Sequence, residues 1–132
     1  MRHDVTSRAV AAMQAHAAAA FPNEACGLLL GDGRRIIEAV PTDNVHPAPA
    51  THFEIDPQAL IDAHRAARAG AAPQVVGYYH SHPRGIAVPS ATDRACACGD
   101  GRVWAIVAGE DVRLWRDDAA GFTALSYTVV DP

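Results

Sequence analysis

His80 and His82 stand one residue apart in Tyr79-His80-Ser81-His82-Pro83, and Asp93 follows in Ser90-Ala91-Thr92-Asp93. Imidazole nitrogen and carboxylate oxygen both suit Zn²⁺ at roughly 2.0–2.2 Å, and three protein ligands leave a fourth position for water, the pattern of a catalytic rather than a structural zinc. The same donors also suit Fe, Co or Ni. Such a centre needs a base for its water. Glu24, in Pro22-Asn23-Glu24-Ala25-Cys26-Gly27-Leu28-Leu29-Leu30-Gly31, is the best placed carboxylate. Each piece has a plainer reading. His-x-His alone describes two surface or core histidines as well. Ser90 to Asp93 also spells a capping box, with Ser90 as N-cap. A carboxylate committed to metal is not expected to serve as a full capping partner. Glu24 alone would pass for an exposed carboxylate before a buried strand.

The elements must bring these residues together. Val75 to His80 is a β-branched and aromatic run, a central strand. Residues i and i+2 of a strand share a face, so His80 and His82 aim at one point while Ser81 faces away. Pro83 has no N–H and ends the pairing, which puts both histidines at a strand end, a common place for function. Ten residues separate His82 from Asp93, enough for a loop, Pro83 to Pro89, to return a carboxylate. A short helix follows from Ser90 to about Cys98, closed by Gly99-Asp100-Gly101.

Upstream, Val5 to Ala20 is alanine-rich, without Gly or Pro, and predicts a helix stopped by Pro22. Gly27 to Gly31 is a buried strand, Asp32-Gly33 a hairpin turn and Arg34 to Val40 the returning strand. Pro41 to Thr51 carries three prolines and is a loop, and His52 to Ile55 a short strand. Asp56-Pro57 is an N-cap and N1 pair opening a helix to about Ala69, with Gly70 as its stop. Val103 to Ala108, Val112 to Trp115 and Phe122 to Val130 are three strands. The order predicts one domain over residues 1–132, an α+β or α/β fold with a mixed sheet flanked by helices.

At 132 residues the chain suits one domain, and 49% hydrophobic with 20% charged residues is ordinary globular composition. A net charge of -4 leaves no basic footprint for nucleic acid. Cys26, Cys96 and Cys98 make no disulfide framework. Cys26 is a small buried hydrophobe, and Cys96 and Cys98 are packing or surface residues lacking the zinc-knuckle spacing. His46, His52 and His64 are spare, solvated histidines. No apolar stretch spans a bilayer. The Ala-rich start, broken by Gln14 and His16, is not expected to be a signal peptide, so the expected location is the cytoplasm. His-Glu-x-x-His and the deaminase signature are both absent.

Taken together, Glu24, His80-Ser81-His82-Pro83, Ser90 and Asp93 resemble the JAMM signature of the MPN+ metallopeptidases. That pattern is Glu, a long gap, His-x-His-Pro, six residues, Ser, two residues, Asp. The contexts Glu24-Ala25-Cys26-Gly27-Leu28-Leu29, Phe53-Glu54-Ile55-Asp56-Pro57 and Gly77-Tyr78-Tyr79 are similar too. The likeness runs from Glu24 to about Val107.

The resemblance implies a cytidine-deaminase-like layering, one catalytic Zn²⁺ on His80, His82 and Asp93, Glu24 as general base and Ser90 as oxyanion donor. It also implies hydrolysis of an amide. The chain is short and looks like the compact prokaryotic members, some of which trim the C-terminal tail of ubiquitin-like sulfur-carrier proteins. Such a tail would lie between the Pro41–Thr51 and Pro83–Pro89 loops, with Arg84, Ile86 and Val88 as substrate contacts. A homodimer is left open. The competing readings are a zinc peptidase acting on small or cell-wall peptides and a non-catalytic MPN scaffold. The complete five-residue set disfavours the scaffold.

Overall fold

Thr6 sets the first boundary. Its backbone is extended, its Oγ accepts from the Ala9 N–H, and helix α1 (Ser7–Ala20) starts behind it. Residues His3–Thr6 are therefore a strand, β1, not the helix start expected from Val5. Capping cut the alanine-rich helix short, and parallel pairing of Asp4 with Arg35 and Val5 with Ile36 held the segment extended. The computed structural model describes residues 2–132.

Strand β2 (Cys26–Asp32) turns at Gly33, whose φ of 57° needs no side chain, into β3 (Arg35–Thr42). Helix α2 (Pro57–Arg68) opens as expected, Asp56 accepting from the Gln58 N–H. Strand β4 (Gln74–Ser81) leads to helix α3 (Ala91–Cys96), then to β5 (Val103–Ala108), β6 (Asp111–Asp118), β7 (Gly121–Leu125) and β8 (Tyr127–Val130). Residues 52–55 are not the expected strand. Only a single bridge, Asn44 to Ile55, forms there, because the Asn44 amide organises the loop instead. It donates to the Glu24 and His52 carbonyls and accepts from the His46 and Glu54 N–H groups. Helix α3 stops at Cys96, since Ala97 is extended and Asp117 binds the next two N–H groups.

The strand expected over Phe122 to Val130 breaks at Ser126. The sheet order is β7-β6-β5-β4-β2-β3-β1-β8, so β7 and β8 lie at opposite ends although only Ser126 separates them. One residue cannot cross an open sheet, so the sheet curls until its ends adjoin. The Tyr127 hydroxyl ties the ends by donating to the Val112 carbonyl. Strands β4 and β5 are parallel, as are β1 with β3 and β1 with β8; the other pairs are antiparallel.

Alternation along the strands sorts two faces. Leu29, Tyr79, Ala105 and Val107 pack with Ala9 and Met13 of α1 into the main core. Met13 and Leu29 have no exposed surface, and each burial stabilises by roughly 1.5–3 kcal/mol. Leu28, Leu30 and Val75 pack with Leu60 and Ala63 of α2 on the other face. The result is a mixed α+β arrangement in three layers: α1, sheet, and α2 with α3. No helix among the described residues is long and apolar enough to cross a membrane.

Candidate metal centre

The C-terminal end of β4 carries the cluster. Cys26 faces His80 across the β2–β4 ladder, and Ile106 faces it across the parallel β4–β5 pair. His80 is therefore held in the middle of the sheet and is 1% exposed. Its ring stacks on Phe53 at 4.3 Å and meets the edge of Trp104 at 5.7 Å, which leaves it little freedom to rotate. Ser81, turned away, bonds the Ala25 N–H through its Oγ and the Ala25 carbonyl through its own N–H. These bonds fix the segment that carries Glu24. The His82 N–H then donates to the Val107 carbonyl, a last ladder bond before Pro83.

His82 has a defined tautomer. Its Nδ1–H donates to the Ile86 carbonyl at 2.7 Å, so Nε2 presents a lone pair. Ring N–H bonding to a backbone carbonyl is the usual way a ligating histidine is oriented. Asp93 is fixed by α3. The Ser90 Oγ accepts from the Asp93 N–H at 3.0 Å, and the Ser90 N–H donates to Asp93 Oδ2 at 2.9 Å, a complete capping box. The capping box and the approach of Asp93 to the histidines therefore coexist. Oδ2 takes the Ser90 N–H and still lies 3.1 Å from His82 Nε2, because a carboxylate oxygen has more than one lone pair.

The three polar ends meet. Asp93 Oδ1 is 3.0 Å from His80 Nε2, and the two Nε2 atoms are 3.1 Å apart. Ligands at roughly 2.0–2.1 Å around a tetrahedral zinc stand about 3.3–3.4 Å from one another, so the cluster is only slightly tighter than such a site. With His82 neutral, its Nε2 and the Asp93 oxygen are both acceptors, and their facing lone pairs need a shared proton or a metal ion between them. The donor set therefore fits a divalent transition metal. The titration behaviour divides the two rings. Burial opposes a charge on His82, but the Asp93 carboxylate and the Ile86 carbonyl outweigh it and raise its pKa. Burial would raise Asp93, yet bonds from both rings and the Ser90 N–H hold it far below the usual carboxylate range. Burial dominates at His80 and lowers its pKa, favouring the neutral ring that a metal requires.

Glu24 precedes β2, with its N–H on the Pro49 carbonyl and its own carbonyl on Asn44. Among the described residues none donates to its carboxylate. Burial pushes its pKa from 4.5 to about 7; the His82 charge lowers it and Asp93 raises it. Glu24 and Asp93 share the wall of a cavity of about 300 Å³. A second cavity, about 670 Å³, reaches His82 from the α1 side, past Phe21 and Pro83. Arg84 and Ile86 are exposed and Val88 is half-buried; none lines the cavity that holds Glu24. What Ile86 brings to the cluster is its carbonyl. His46 and His52 are half-buried and stack on each other at 4.7 Å, instead of standing free in solvent, because the Asn44-centred loop folds them together.

Reasoning from sequence missed the roles of Phe53, Trp104, Asn44 and Asp117. Phe53 and Trp104 buttress His80, and only long-range pairing puts them there. Asp117, 2% exposed, accepts from the Cys98 and Gly99 N–H groups and so anchors the far end of α3.

A mixed sheet ending in a converging His-His-Asp set, with an elevated carboxylate on an adjoining cavity wall, is the architecture of a hydrolytic metalloenzyme. Residues 6–118 match the family of prokaryotic homologs of the JAB domain, and the chain belongs to that family. It is 38% identical over 112 residues to a desampylase of Haloferax volcanii, covering 82% of this chain and 79% of that one. It is 41% identical over 81 residues to a "Probable TtuB-protein conjugate cleaving protease" of Thermus thermophilus, covering 61% of this chain and 53% of that one. The chain spans about half the length of that second relative. Its fold matches the solved JAMM structure described as a metalloprotease-like zinc site in the proteasome and signalosome. The TM-score is 0.60 at 17% identity, over 97% of this chain and 99% of that one, a likeness of fold alone.

Proposed function

We propose that this protein is a zinc-dependent isopeptidase or peptidase that hydrolyses an amide at the C-terminal tail of a ubiquitin-like protein of the sulfur-carrier kind. The observation that carries the reading is the convergence of His80 Nε2, His82 Nε2 and Asp93 within about 3.1 Å, beside a cavity shared with Glu24. The names of two relatives support the substrate class, since one is called a desampylase and the other a protease cleaving protein conjugates.

His80, His82 and Asp93 would hold the ion. A zinc ion held there would supply Lewis acidity and lower the pKa of a coordinated water to about 7. The chain's own residues do the rest. Glu24, with no donor on its carboxylate among the described residues, accepts a proton and delivers it to the leaving amine. Burial raises the Glu24 carboxyl in the metal-free chain, and a neighbouring cation would bring it back down toward a working base. Ser90 Oγ accepts from the Asp93 N–H, and its own O–H remains free to donate to the oxyanion of the attacked carbonyl. The Phe53 and Trp104 rings and the Ile86 carbonyl hold the two imidazoles in place. Cavities on both sides of the cluster leave room for an extended tail to cross it.

The test incubates zinc-loaded protein with ubiquitin-like carriers bearing C-terminal extensions or isopeptide-linked adducts, with mass spectrometry reading the products. Cleavage at the carrier's terminus that is lost in Glu24→Gln is expected. Cleavage of short free peptides alone would sink the carrier reading.

A further inference from the structure

The cavity beside Glu24 has a chemistry that the hydrolytic reading does not use. Its apolar side is formed by Phe53, Ile55, Leu60, Tyr78 and Trp104, from the loop before α2, from α2 itself, and from β4 and β5, and faces a polar side that includes His46, His52 and Thr92. Tyr78 and Trp104 are paired across the parallel β4–β5 ladder, so their rings lie on the face that also carries His80. The chamber holds about 300 Å³, and no Lys or Arg is among its lining residues. A space lined this way favours an apolar side chain and disfavours an acidic one.

Resting on the peptidase reading above, we propose that this chamber is a specificity pocket for a bulky aliphatic or aromatic substrate side chain within three residues of the scissile amide. Glu24 and Asp93 at its wall place it in direct continuity with the reacting centre. A glycine-only tail would leave the apolar side of the chamber unfilled. A Leu or Phe side chain would instead meet the Phe53 ring, which is itself stacked on His80 at 4.3 Å and set edge-on to Trp104 at 6.1 Å. Filling the pocket therefore presses on the support of a proposed ligand, which couples recognition to the geometry of the centre.

The rim offers a chemical handle. Cys96 and Cys98 line the same chamber and are exposed, whereas Cys26 is buried and its thiol is pushed up by that burial. N-ethylmaleimide should thus modify the two rim thiols and spare the third.

The experiment uses the zinc-loaded protein and a ubiquitin-like carrier with a short C-terminal extension. Each of the three residues on either side of the scissile bond is set in turn to Gly, Leu, Phe or Asp. One position is expected at which Leu or Phe raises kcat/KM about 100-fold over Gly, with Asp rejected, as apolar pockets discriminate. Treatment with N-ethylmaleimide is expected to raise KM for the Leu or Phe substrate at least tenfold, with zinc content unchanged. In Cys96→Ser/Cys98→Ser protein the reagent should have no such effect. Cleavage with equal efficiency at all six positions would overturn the pocket and leave the peptidase reading standing. Failure to cut any member of the set would overturn both.

Discussion

Glu24→Gln should separate catalysis from stability, in opposite directions. The Glu24 carboxyl is raised from 4.5 to about 7 by burial, so ionising it costs folding free energy. For a raised acid, the favourable contribution of the neutral form is complete below the unfolded value of 4.5. It is lost as pH rises through the folded value near 7. A rise of about 2.5 units corresponds to a ceiling of about 3.4 kcal/mol. The open cavity admits solvent, and screening brings that ceiling down to about 1–2 kcal/mol. Gln is nearly isosteric and cannot ionise. Glu24 is anchored through its backbone, to Pro49 and Asn44, and the substitution leaves those bonds in place. The metal-free variant is therefore expected to be about 1–2 kcal/mol more stable than the parent at pH 8, or roughly 4–8 °C in Tm, and within ~0.5 kcal/mol at pH 5. Excess zinc should shrink the gain, because a neighbouring dication favours the carboxylate. Urea melts of chelator-treated protein at the two pH values measure the first effect, and turnover of a carrier adduct measures the second. Equal stability at pH 8 would refute the account of a desolvated carboxylate. Turnover close to the parent's would refute its role as base.

His82→Ala should bind zinc at least 100-fold more weakly in a competitive chelator titration and should also unfold at a lower midpoint in metal-free buffer, since the bonds of its ring to Asp93 and to the Ile86 carbonyl are lost. Undiminished zinc affinity would exclude it as a ligand. Asp117→Ala removes the acceptor of the Cys98 and Gly99 N–H groups and should cost about 2–4 kcal/mol by urea unfolding, with a higher KM because α3 carries Asp93. A loss under about 0.5 kcal/mol would show that water replaces the carboxylate.

Much of the centre was legible because its residues are fixed by local rules. Strand alternation put His80 and His82 on one side, and Pro83 ended the strand after them. Asp56-Pro57 and Ser90 opened their helices as their side-chain chemistry dictates. The errors fall where local preference lost to distant partners. Residues His3–Thr6 had no signal separating them from the helix, because the reason they are a strand lies in β3 and β8. The stretch from Phe122 to Val130 is one β-rich run in sequence. Only the curl of the sheet, which needs both of its ends, breaks it at Ser126.

The same distinction explains which parts of the site were missed. Donor atoms advertise themselves by type, and their spacing is the spacing of a strand and a capped helix. Their supports do not. Phe53 and Trp104 are 51 residues apart and become neighbours of His80 only because β5 runs beside β4 and the Asn44-centred loop folds over both. The Ile86 carbonyl that sets the His82 tautomer belongs to the backbone, and a backbone acceptor has no residue type to reveal it. Asp93 sharpens the point. A capping box and a converging carboxylate are compatible readings of the same side chain. Counted as lone pairs, Oδ2 has room for the Ser90 N–H and for a place in the cluster at once. The cap is then part of the site, because the bond that starts α3 also holds the carboxylate at the angle the two imidazoles require.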